Sequence, residues 1–168
     1  MWFSTLLIPP RSVWGEMEDM ACGLFDPRGN LFAQGVAGTQ GIIVGMAKGV
    51  QAMLKKYPAD TLAPGDVMVG NDPWLFAGHK YDITVASPVF AGDRPFDQAL
   101  RARSPQGGQD KLVAVAASIL HCTDIGGITS AADSTSVYEE GLNIPVMKLF
   151  HRGKVNQDLI DIIETNVR

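Results

Sequence analysis

The stretch from Leu112 to Leu120, Leu-Val-Ala-Val-Ala-Ala-Ser-Ile-Leu, constrains the fold more than any other part of this chain. It is apolar along almost its whole length, follows the charged pair Asp110-Lys111 and ends at His121. A run of this length and character reads as a strand, and its near-continuous apolarity predicts cover on both faces. The rest of the chain then has to supply neighbouring strands and packed helices.

Those elements are readable. Asp19 to Gln34 predicts a β-hairpin, with Met20, Cys22 and Leu24 on one face and Asp26-Pro27-Arg28-Gly29-Asn30 as the turn. Gly41 to Tyr57 has helical spacing, with Ile42, Ile43, Met46, Val50, Met53 and Leu54 in one stripe, Thr39 as N-cap and Pro58 as the stop. Gly41, Gly45 and Gly49 recur one turn apart and predict a close backbone approach along that helix. Strands are expected near 66–70 and 82–89, a further short one over Leu142–Phe150, and a helix near 156–165. The polar segment 93–110 reads as a loop, and so does Ile128 to Tyr138. The expected fold class is α/β or α+β: a mixed β-sheet with packed helices.

Composition narrows the function classes. The chain has 168 residues, is 46% hydrophobic and 19% charged, and carries a formal charge of -4. That describes a globular domain with a real core and no electrostatic footprint for nucleic acid. Two cysteines, Cys22 and Cys122, are no disulfide framework and read as reduced, partly buried thiols of a cytoplasmic protein. The apolar N-terminus lacks a basic region and breaks at Pro9-Pro10, so neither a leader nor a membrane span is expected.

Two segments carry the chemistry. Asn71-Asp72-Pro73-Trp74-Leu75-Phe76-Ala77-Gly78-His79-Lys80-Tyr81-Asp82 follows one expected strand, and His121-Cys122-Thr123-Asp124-Ile125-Gly126-Gly127 follows another. Each holds a histidine and an aspartate three positions apart, and two of the three histidines of the chain lie here. Imidazole and carboxylate together suit manganese, iron or zinc. If the two strands are neighbours, His79, Asp82, His121 and Asp124 converge on one point. The plainer alternative stays open at this level: structural histidines, an Asx turn at Asn71-Asp72-Pro73 and a tight bend at Gly126-Gly127. No Gly-x-Ser-x-Gly elbow and no phosphate-loop motif is present.

Several segments, in order, resemble the hydantoinase B/oxoprolinase family: Phe25-Asp26-Pro27-Arg28-Gly29-Asn30-Leu31, Leu62-Ala63-Pro64-Gly65-Asp66, Asn71-Asp72-Pro73, Gly78-His79 with Asp82, His121 with Asp124-Ile125-Gly126-Gly127, Tyr138-Glu139-Glu140-Gly141-Leu142 and Asn166-Val167-Arg168. Trp74 with Ala77-Gly78-His79 is more similar to the carboxylase-type branch. The resemblance implies that the chain is the N-terminal part of a larger hydantoinase B-type fold, 18–168, behind a divergent segment 1–17 and with a loop insertion at 93–110. It implies a divalent metal (manganese, zinc or iron) on His79, Asp82 and His121, with Asp124 and Asp72 as the candidate catalytic carboxylates. It also implies an A-type partner subunit that uses ATP, and hydrolysis of a cyclic amide or carboxylation of a ketone. The alternative is a non-catalytic interaction or scaffold domain, a remnant of that family. A part of a larger fold is expected to expose apolar surface, here on the glycine-ridged helix and at Leu159 to Ile163, and to form homo-oligomers or bind the A-type subunit.

Overall fold

The computed structural model describes residues 19–35, 40–91, 111–122, 124–128 and 131–167. The divergent segment, the proposed insertion and Thr39 lie outside these residues. The elements in chain order are β1 (Met20–Phe25), β2 (Leu31–Gln34), α1 (Gln40–Lys56), β3 (Val67–Gly70), β4 (Asp82–Phe90), β5 (Leu112–His121), β6 (Met147–His151), β7 (Lys154–Val155) and α2 (Gln157–Asn166). The strands form one sheet of seven in the order β2-β1-β5-β4-β3-β6-β7. The expected arrangement of a sheet with packed helices holds, and every strand pair is antiparallel.

Strand alternation divides the interior into two layers. On one face, Ala86, Phe90, Val115, Ala117 and Ile119 pack with Ile43, Met46, Val50 and Met53 of α1. On the other, Val69, Ile83 and Leu149 pack with Leu159 and Ile163 of α2. The apolar stripe of α1 thus faces the sheet, and Lys55 and Lys56 occupy its last turn, where they favour the helix dipole. Gly45 and Gly49 are buried where the 71–79 loop crosses the helix; a Cβ on Gly45 would stand 2.8 Å from Ala77 Cα, and one on Gly49 would strike the Phe76 ring. Gly45 and Gly49 therefore serve a contact inside the chain, and the exposed apolar residue of the helix is Val44.

Further expectations are corrected. β5 is not covered on both faces: its odd residues Val115, Ala117 and Ile119 are buried, but Val113 is exposed and Ala114, Ala116 and Ser118 are only partly covered. α2 reaches the β3–β6 half of its face, leaving Leu24, Val85 and Ala116 beside an open apolar groove. Cys22 lines that groove and is exposed, where a partly buried thiol was expected. At the C-terminal end the strand is confined to Met147–His151, because Leu142 to Ile144 is drawn into contacts with Asn71 and Ile125 instead. Leu159 and Ile163 are buried, so the exposed apolar residue of that stretch is Ile162. No helix among the described residues is long and apolar enough to cross a membrane.

Candidate metal centre

The sheet register builds the site. Asp82 is the first residue of β4, His121 is the last of β5, and the two are direct cross-strand partners. Directly opposed residues hold their side chains on one face within a few ångströms. His79 lies three residues before Asp82, in the turn that delivers the chain into β4. The motif loop is thus placed by β4, which it enters, rather than by β3, which it leaves.

Asn71 closes that loop. Its Nδ2 donates to Lys80 O (2.6 Å) and Leu142 O (3.0 Å), while its Oδ1 accepts from Ile144 N (2.6 Å). Its own N–H donates to Ile144 O (3.0 Å). The side chain is fully buried, so these bonds hold the loop ends together without competition from water. Beneath the loop, Phe76 and Ala77 rest on the α1 glycines. Glu140, also buried, accepts from Lys80 N (2.7 Å). Behind the second motif, a Cβ on Gly127 would run into the Glu139–Gly141 backbone, so only glycine permits that crossing.

The result is a triangle of donor atoms. Asp82 Oδ1 lies 2.9 Å from His121 Nδ1 and 3.1 Å from His79 Nε2, and the two ring nitrogens are 3.3 Å apart. The Tyr81 ring backs both imidazoles, with centroids 5.5 Å from His121 at an interplanar angle of 24° and 6.0 Å from His79. Its hydroxyl donates to Ile128 O and so ties the rings to the second motif. The hydrogen bond to Asp82 holds His79 above the ordinary histidine range; burial opposes this, and the charges of Asp82, Glu140 and Asp19 add to it. Burial pushes the Asp82 carboxyl up, but the hydrogen bonds from His121 and His79 and their charge outweigh it and hold it below its ordinary value.

These residues fit a divalent cation. Without an ion, hydrogen bonds from the imidazoles to Asp82 Oδ1 hold the triangle, and the same three atoms lie close enough together to share one cation. Donors about 2.1–2.2 Å from an ion stand about 3.0 Å apart at right angles, and about 3.5 Å apart in a tetrahedron. Edges of 2.9, 3.1 and 3.3 Å therefore match one face of an octahedron. Two histidines and one carboxylate form a donor set that would hold such an ion. Asp82 Oδ2, buried and with no hydrogen-bond partner, keeps a further lone pair in this region.

The remaining expected site residues take other places. Asp124 stands outside the triangle, and its Oδ1 accepts from Gly126 N (2.8 Å), shaping the turn. Asp72 Oδ1 accepts from Trp74 N (3.0 Å), and its carbonyl accepts from Leu75 and Phe76, which starts the loop. Cys122 is buried, and burial pushes its thiol up to about 12. His151 lies 3.3 Å from Asp66 Oδ1 beside Lys148 (2.6 Å from Oδ2) and ties two turns together. The sequence reading missed Asp19. Its Oδ2 lies 3.9 Å from His121 Nδ1, and its carbonyl accepts from His121 N at 3.1 Å. Only the β1–β5 pairing brings it there, a relation that no local motif carries.

Comparison with known proteins places the chain in a family. Residues 12–168 match the family model described as hydantoinase B/oxoprolinase. The chain belongs to the hydantoinase B/oxoprolinase family. Caprolactamase subunit beta of Pseudomonas jessenii is 30% identical over 163 residues, 94% of this chain and 24% of that subunit. The crystal structure of the ATP-dependent caprolactamase from the same organism superposes with a TM-score of 0.66 at 29% identity, over 89% of this chain and 23% of that one. A nucleotide-free acetone carboxylase shares the fold, with a TM-score of 0.70 at 18% identity over 98% of this chain and 20% of that one. The chain thus spans about a quarter of the length of the caprolactamase subunit that it matches.

Proposed function

We propose that this chain is the metal-bearing N-terminal part of a hydantoinase B/oxoprolinase-type enzyme, working with an ATP-using A-type partner. The observation that carries the reading is the His79–Asp82–His121 triangle, whose edges suit a facial set of ligands for manganese, iron or zinc. A relative named as a beta subunit and a structure titled as ATP-dependent support the partner and its use of ATP. The substrate class is a cyclic amide undergoing hydrolysis or a ketone undergoing carboxylation.

The bound cation would supply Lewis-acid activation of a carbonyl or phosphoryl oxygen, or of water. The residues of the chain prepare for it. Asp82 neutralises cationic charge and fixes both imidazoles from one oxygen. Tyr81 prevents the rings from turning away. Asp19, on the rim beside His121, adds negative charge next to that imidazole. Asp124 and Asp72, with oxygens engaged in turns, act by holding the two motif loops in shape.

The test is metal analysis of the purified chain, then of His79→Ala and His121→Ala, followed by assay with the cognate A-type subunit and ATP. One equivalent of manganese, iron or zinc in the parent is expected, with loss of at least about 100-fold in affinity in either variant and unchanged circular dichroism. A parent that takes up no transition metal on titration would leave the scaffold reading.

A further inference from the structure

Among the described residues, the buried side-chain oxygen and nitrogen atoms without a hydrogen-bond partner are Asp82 Oδ2 and Thr84 Oγ1. Both residues are fully buried. They lie two apart on β4, hence on the same face of the sheet. Cross-strand neighbours do not satisfy Thr84, because it pairs with Ile119 on β5 and with Gly70 on β3, and neither carries a polar side chain. Beside Gly70 stands Phe76, which is equally apolar.

We propose that Thr84 is a positioning residue for Asp82, acting through one enclosed water that bridges Thr84 Oγ1 and Asp82 Oδ2. The proposal rests on reading the triangle as a metal site. Residues i and i+2 of a strand have Cα atoms about 6.7 Å apart, and a water making two hydrogen bonds of about 2.8 Å spans about 5.6 Å. Side chains that lean toward each other by about 1 Å close the difference. Such a water donates to Oδ2 and exchanges a hydrogen bond with the hydroxyl. Buried waters serve otherwise unsatisfied polar groups in this way. The consequence is orientational. With Oδ2 anchored along the strand, the carboxylate cannot rotate, and Oδ1 stays aimed between His79 and His121.

Thr84→Val and Thr84→Ser separate this role from packing. Valine keeps the shape but removes the hydroxyl and leaves Asp82 Oδ2 without its bridge, so without metal it should fold with unchanged circular dichroism and unfold at a slightly lower temperature than the parent. Its affinity for Mn²⁺ and Zn²⁺, read by chelator competition, should be about tenfold or more weaker. Serine should bind metal within about threefold of the parent. A high-resolution crystal structure of the parent should hold a water within reach of both oxygens, and that of Thr84→Val should lack it. Metal affinity in Thr84→Val within about twofold of the parent would overturn the proposal. So would a parent crystal structure in which Thr84 Oγ1 bonds a main-chain carbonyl with no water shared with Asp82. If the parent binds no metal, the metal reading fails, and the crystallographic water alone decides the proposal.

Discussion

Replacing Asn71 by alanine removes three hydrogen bonds at once, to Lys80 O, Leu142 O and Ile144 N. The main-chain bond from Asn71 N to Ile144 O survives, so the loss is confined to the side chain. Each bond contributes a net of about 1 kcal/mol, and a buried partner left unsatisfied costs about 1–3 kcal/mol more. Ile144 is 2% exposed and Lys80 is 5% exposed, so water reaches neither freely. A loss of about 3–5 kcal/mol follows, a large part of the about 5–15 kcal/mol that holds a domain together. For a domain of this length that lowers Tm by about 6–20 °C, measured by circular dichroism without metal. Because Lys80 O is the anchor next to His79, metal affinity should also fall by about tenfold. Asn71→Asp keeps the acceptor for Ile144 N but sets a buried carboxylate against two carbonyl oxygens, so it should be at least as damaging. An Asn71→Ala protein that melts within about 2 °C of the parent and binds metal equally well would refute the reasoning.

In the metal-free protein, the ion pair of His79 and Asp82 stabilises the fold between the lowered pKa of Asp82 and the raised pKa of His79. The His79 contribution is complete below the unfolded histidine value and fades as pH rises through the raised folded value; the Asp82 contribution is present above the unfolded carboxylate value and fades as pH falls through the lowered one. The Tm difference between parent and His79→Gln should therefore shrink on going from about pH 6 to about pH 9, while metal affinity of the parent rises because the proton leaves Nε2; a difference that grows with pH would contradict the pairing. Gly49→Ala gains about 1 kcal/mol of helix propensity but drives a methyl into the Phe76 ring, which costs about 1–3 kcal/mol. A net loss of stability with weaker metal binding is expected in denaturant titration, and a more stable variant would show that the loop does not lean on the helix.

The elements were legible because their signals are local. The turn at Asp26–Asn30, the stripe of α1 with its terminal lysines, and the apolar runs of β3, β4 and β5 each depend on neighbours in sequence. The histidine and aspartate motifs were legible for the same reason, and the convergence of His79, Asp82 and His121 required only that β4 and β5 be adjacent. What escaped depends on pairing across long separations. Asp19 meets His121 through β1–β5, and Asn71 meets Ile144 across a gap of 73 residues. Neither partner can be picked from the spacing of the motifs. The covering of β5 was misjudged because alanine is compatible with a half-open face as well as with a closed one, and the composition of Leu112–Leu120 does not say which.

The register of β4 on β5 runs from Asp82↔His121 to Phe90↔Leu112, and its one irregularity falls between Val89 and Phe90, at the end remote from the histidines. A slip of one residue would turn His121 to the opposite face and carry it about 3.3 Å along the strand. Any ion held by both residues therefore inspects the pairing of the whole sheet centre. Chains that zip up out of step cannot hold it, while chains in step are withdrawn from the exchange by mass action. The same three side chains that would serve chemistry would then also proofread assembly.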